Sequence, residues 1–147
     1  MFPKTCFAIS ALVSSALTQG CAEAARFGTL KITPNSIVLG QEVTFEVNFT
    51  CAIQLGYTPV YADYFLKVPA SNNTGFDRFQ PPIYFARRDG PSGVETFTRT
   101  FGPTYPNALY QVVLASTRAI ITQSESYGQT LATGEVLLQV SVVQPSH

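Results

Sequence analysis

Polar and apolar residues alternate one by one through much of the chain beyond residue 28. From Glu42 to Phe49, Val43, Phe45, Val47 and Phe49 share one face, while Glu42, Thr44, Glu46 and Asn48 share the other. A period of two is the signature of a strand with one face in a core and one in water. Tyr61–Val68 repeats it, with Ala62, Tyr64, Leu66 and Val68 opposite Asp63, Phe65 and Lys67. So do Leu109–Ser116, through Tyr110, Val112 and Leu114, and the last apolar segment, through Val136, Leu138, Val140 and Val142. Glu95–Phe101 is a further strand, and Thr29–Thr33, Ile37–Leu39, Ile83–Arg87 and Ala119–Gln123 are weaker ones. Pro34-Asn35, Leu39-Gly40, Asp89-Gly90-Pro91 and the Pro103/Pro106 pair punctuate them as turns. Beyond the first two dozen residues no segment carries an i, i+3, i+4, i+7 apolar stripe. Seven to nine short strands at this spacing predict an all-β fold, a two-sheet β-sandwich.

The first two dozen residues follow another pattern. Lys4 precedes an apolar run from Cys6 to Leu17, and Ala22-Glu23-Ala24 matches the A-x-A cleavage signal. The run is too short to cross a bilayer of roughly 30 Å as a helix. Residues 1–24 are therefore read as a cleaved secretory leader and 25–147 as a single domain of about 120 residues, enough to bury a core. The C-terminal stretch Val140–His147 lacks the apolar tail of a lipid-anchor signal, so no membrane anchor is expected and the product is read as extracellular.

The cleavage bond decides the cysteine chemistry. Cutting after Ala24 leaves Cys51 alone; cutting after Gly20, which also follows a small residue, keeps Cys21 and permits a Cys21–Cys51 bridge. An odd cysteine suggests a reactive thiol or an intermolecular bridge. The favoured reading is blander, a small buried hydrophobe at the end of an apolar strand.

Two segments narrow the architecture. In Ile32-Thr33-Pro34-Asn35-Ser36-Ile37-Val38-Leu39-Gly40 a proline interrupts a strand, as suits an edge strand changing partners. Asn107-Ala108-Leu109-Tyr110-Gln111-Val112-Val113-Leu114 resembles the sixth strand of immunoglobulin-like domains, in which a tyrosine near the strand's start bonds back to the preceding corner. Tyr110 is the first choice for that tyrosine and Tyr105 the second. The chain has no Trp and lacks the antibody-type cysteine pair, so the resemblance is to the fibronectin-like branch of the immunoglobulin-like sandwiches, over about residues 28–143. Together with the leader, the chain resembles the small secreted single-domain sandwiches of fungal secretomes. That resemblance implies an effector-type role on host surface receptors.

Composition removes several chemistries. Nine basic and nine acidic residues cancel, and charged residues are only 12% of the chain, which argues against capture of nucleic acid. The single histidine is the terminal His147, a poor general base, and no His, Cys or acidic cluster has metal-ligand spacing. Glu42 and Glu46 read as solvated surface, Asp63 and Lys67 as a surface pair, and Arg87-Arg88 as the end of a hairpin. The glycines read as scattered turn residues. Asp77 is the least dismissible acid, but no second acid stands beside it. The expectation is a protein that is not an enzyme and needs no cofactor.

Recognition remains. Beyond the leader, nine Phe and seven Tyr are more than strand cores require, and the long loops 51–59 and 70–82 both carry aromatics. Tyr57, Phe76, Phe79 and Tyr84, with Asp77 and Arg78 between them, have the composition of an interaction patch. The competing reading makes Phe76 and Phe79 a plug for the end of the sandwich. The expected partner is an extracellular protein, with a cell-wall glycan stacked on tyrosine rings as the alternative. Asn48-Phe49-Thr50 and Asn72-Asn73-Thr74 are N-glycosylation triplets, the first on the outward face of its strand.

Overall fold

The computed structural model describes residues 20–68, 82–120 and 130–146. Within them the alternating segments form β1 (Thr29–Thr33), β2 (Ser36–Val38), β3 (Glu42–Asn48), β4 (Tyr61–Lys67), β5 (Ile83–Asp89), β6 (Val94–Thr100), β7 (Ala108–Ile120) and β8 (Thr130–Val143). They make an all-β fold of two sheets, one ordered β1-β3-β6 and the other β2-β8-β7-β4-β5. Every pairing is antiparallel except β2 with β8.

The proline break does what its position predicts. Before it, β1 pairs with β3 in the smaller sheet; after it, β2 pairs with β8 in the larger one. The chain returns through a tight turn in which the Gln41 N–H donates to the Val38 carbonyl at 3.0 Å, with Gly40 at φ +84°. That left-handed backbone is where a side chain would be strained.

The core lies between the sheets. Val43, Phe45 and Val47 of β3 face Tyr64 and Leu66 of β4, Val112 and Leu114 of β7, and Val140 and Val142 of β8. Aromatic rings fill the middle. Phe45 stacks on Phe97 at 5.0 Å within the smaller sheet, and Tyr64 meets Phe97 edge-on at 4.9 Å across the gap. Phe85 touches both Phe45 and Phe101. Among the described residues Phe45, Phe49, Phe85, Phe101, Tyr64 and Tyr110 are buried in this core, and Tyr57, Phe97 and Tyr105 pack against it. Without tryptophan, several smaller rings from both sheets occupy the interlayer space.

Other expectations change. Ala119–Gln123 is not a separate strand as far as it is described, because β7 runs on to Ile120. The loop after β3 opens with a short helix, α1 (Thr50–Gln54), so Cys51 does not end a strand. Nor is it a free thiol, since it is disulfide-bonded to Cys21. Arg87-Arg88 does not lead into a hairpin: β5 lies in the larger sheet and β6 in the smaller one, and the connection crosses between layers.

The segment before β1 is part of the fold. Glu23–Ala25 forms a 3-10 turn, and the Glu23 carboxylate accepts hydrogen bonds from Arg26 at 3.2 Å and from the Tyr57 hydroxyl at 3.3 Å. Phe27 meets the Tyr57 ring edge-on and lies so close to β8 that a Cβ on Gly134 would collide with it. Gly134 is therefore no turn glycine but a mid-strand site of close approach.

Candidate functional site

The outer face of the larger sheet carries a row of apolar side chains with exposed ends. Cross-strand partners share a face. Phe65 on β4 pairs with Tyr84 on β5 and with Val113 on β7, and Val113 pairs with Leu137 on β8. These four side chains form one apolar row across four strands. Tyr84 is 52% exposed and Leu137 50%, while Val113 between Phe65 and Leu137 is buried. Phe65 and Tyr84 meet edge to face at 5.7 Å.

Polar rows flank it. On one side Lys67, Gln111 and Gln139 are in register. On the other stand Arg87, Asp63, Ala115 and Glu135. Arg87 donates to both Asp63 carboxylate oxygens, from Nε at 2.6 Å and Nη2 at 2.8 Å, and its guanidinium lies 4.4 Å from the centre of the Tyr61 ring. The fork-to-fork hydrogen bonds to Asp63 push the Arg87 pKa further above its ordinary value, so this group is a fixed charge. The expected Asp63–Lys67 pair is replaced by this one. An arginine fork on the neighbouring strand matches a carboxylate in two bonds, which a lysine four residues along the same strand cannot do.

A bulge in β5 makes this face. The pairing shifts between Tyr64 and Phe65, leaving Phe85 as the extra residue. In a regular strand Tyr84 and Arg87, three apart, would point to opposite faces. The bulge puts both on the outside, with Phe85 turned into the core.

Of the six residues expected at the site, the structure describes two, Tyr57 and Tyr84. Tyr84 lies in the apolar row. Tyr57 precedes β4, at the opposite end of that strand from Phe65 and Tyr84, and is held there: Glu23 takes its hydroxyl, Phe27 meets its ring, and the Arg118 guanidinium covers it at 4.1 Å. Phe76, Asp77, Arg78, Phe79 and Asn72 lie outside the described residues. Asn48 is exposed at the end of β3 in the other sheet, and its Oδ1 accepts the Thr50 N–H at 2.8 Å. Phe65 and Leu137 were missed from sequence, although the alternation of β4 already placed a phenylalanine on its polar face.

Among the described residues no group of three or more His, Cys, Asp or Glu side chains could hold a metal ion, and no helix is long and apolar enough to cross a membrane. Comparison of the chain with protein-family models, curated proteins and solved structures gives no match.

Proposed function

We propose that the chain is a secreted, non-enzymatic interaction protein of immunoglobulin-like, fibronectin-like architecture, which binds an extracellular protein through the outer face of its larger sheet. The observation that carries this reading is the row Tyr84–Phe65–Val113–Leu137, an apolar stripe with two half-exposed ends and polar rows on both sides. Half-exposed apolar side chains rimmed by polar groups are a composition found at sites of protein association. An aromatic anchor beside a fixed Arg–carboxylate pair is the composition of an interface centre.

Strand order supports the architecture. With β2 taken as a continuation of A and β5, which lies beside β4 in the larger sheet, taken as C′, the sheets become A-B-E and A′-G-F-C-C′, close to the arrangement of immunoglobulin-type sandwiches. The Tyr110 hydroxyl, on the strand equivalent to F, donates to the Pro106 carbonyl at 3.2 Å, as a tyrosine corner does. The effector-type resemblance suggests the class of partner, a receptor on a host or neighbouring cell. The apolar leader and the exposed Asn48 triplet favour a eukaryotic secretory route.

The test uses labelled protein on a panel of eukaryotic cells, with Tyr84→Ala/Leu137→Ser beside the wild type. The reading expects binding that is lost in the variant and after protease treatment of the cells, with nearly unchanged melting temperature. Binding that survives protease but is retained by chitin, β-glucan or cellulose, and is lost on Tyr84→Ala, would replace the protein partner with a glycan. Glycan mass on Asn48 of protein secreted from yeast, removed by Asn48→Gln, would support the secretory route.

A further inference from the structure

We infer that the leader is cut after Gly20, so that the mature chain begins at Cys21; this rests on the secretory reading above. The peptide bonds that follow small residues in a leader-like context include Gly20–Cys21 and Ala24–Ala25. They differ in what each would remove from the fold. A cut after Ala24 discards Cys21, the disulfide partner of Cys51, and Glu23, the acceptor of the Tyr57 hydroxyl. It leaves an unpaired thiol in α1 and takes away most of the 3-10 turn, whose Glu23 carbonyl accepts the Arg26 N–H at 3.1 Å. A cut after Gly20 removes none of these contacts.

The sequence around the bond fits. Thr18 and Gly20 stand at the third and first positions before the cut, both small and uncharged, and Gly20 lies just beyond the apolar run that ends at Leu17. Ala22-Glu23-Ala24 then has a structural reading in place of an address. Alanine and glutamate are good helix formers, and here they build the turn that carries the chain from the disulfide to Phe27. The chemistry balances simply. Water hydrolyses the Gly20–Cys21 amide, leaving a carboxylate on Gly20 and an α-amino group on Cys21. The Cys21 and Cys51 thiols then lose two protons and two electrons to a protein disulfide of the secretory compartment by thiol–disulfide exchange.

The full chain, expressed in a secreting yeast, provides the test. Secreted protein is deglycosylated, and its N-terminus is read by sequencing and intact mass, with alkylation under denaturing conditions before and after reduction. The inference expects Cys21 as the first residue, no alkylation before reduction and both cysteines alkylated after it. A chain beginning at Ala25 with one alkylatable thiol overturns it. Unprocessed protein kept inside the cells overturns the secretory reading itself, a different result. Two variants guard the interpretation. Ala24→Leu changes an exposed turn residue and is expected to leave the N-terminus at Cys21, whereas Gly20→Leu places a bulky residue before the bond and is expected to abolish that species. The reverse pattern sinks the inference.

Discussion

Two tyrosine hydroxyls show how differently one group behaves in this core. The Tyr64 side chain is fully buried, and its hydroxyl has no hydrogen-bond partner among the described residues. Burial first, and the nearby Glu95 carboxylate second, push its pKa far above the ordinary tyrosine value, with Arg88 opposing. Burial also raises Tyr110, helped by Tyr105, but that hydroxyl is satisfied by the Pro106 carbonyl. Both folded-state pKa values lie above the unfolded value of about 10, so the native state keeps protons that the unfolded chain releases. Stability is therefore undiminished below pH ~10 and falls as pH rises above it. Urea titrations across the alkaline range are expected to show that fall, and Tyr64→Phe to flatten it with little cost at neutral pH, because no hydrogen bond is broken. Tyr110→Phe is expected to cost about 1 kcal/mol at neutral pH, the net worth of one hydrogen bond. Tyr110 was named from the sequence by the resemblance of Asn107–Leu114 to an immunoglobulin-like strand, and its bond is local, four residues back. Gly134 could not be read that way, since its meaning depends on Phe27, which is distant in the chain. Gly134→Ala should lower stability by about 1–3 kcal/mol as an overpacked site. In a Phe27→Ala background the same change should cost far less; equal costs in both backgrounds would remove Phe27 as the cause.

Elements differ in how much of themselves they write into the sequence. The regular strands β3 and β4 are fully legible, since each buries one face of an uninterrupted alternation. In β5 the period breaks. Simple alternation groups Phe85 with Arg87, while the bulge sends Phe85 to the core and Arg87 to the surface. Without knowing the partner strand, nothing in Ile83–Asp89 announces an extra residue. The helix α1 is equally silent, because five residues cannot show a 3.6-residue period. Assignment of strands to sheets was legible only at Pro34, where a missing donor forces the change of partner. The disulfide was open in the sequence, depending on a cleavage bond that composition left undecided. It ties the 3-10 turn before β1 to the helix after β3, across a sequence separation of 30. Loop-closure entropy for that span predicts a contribution of roughly 3–4 kcal/mol. The double variant Cys21→Ser/Cys51→Ser should lose about that much in denaturant titration and keep its strand signature by circular dichroism. An undiminished midpoint would mean that Phe27 and Glu23 alone hold the segment.

At the scale of the whole molecule, the charge balance constrains how a partner can be met. Equal numbers of acidic and basic residues, at only 12% of the chain together, leave little long-range field to steer an approaching surface. On the proposed face Arg87 and Asp63 neutralise each other in a two-point pair. What that face offers instead is the apolar row through Tyr84, Phe65, Val113 and Leu137, half open at its ends. Association through such a row draws on the removal of apolar surface from water, about 25 cal/mol per Å² before ordering costs. Salt leaves that contribution largely intact, whereas it shrinks the Debye length from about 10 Å at 0.1 M to about 3 Å at 1 M. Binding to target cells is therefore expected to change less than roughly threefold over that range, whereas a charge-led interface would lose far more. Raising the salt while comparing wild type with Tyr84→Ala separates the possibilities. Affinity that is salt-independent but lost on Tyr84→Ala assigns recognition to the apolar row. Affinity that collapses in salt and survives Tyr84→Ala moves it to a charged surface elsewhere on the molecule, and the row would then need another explanation.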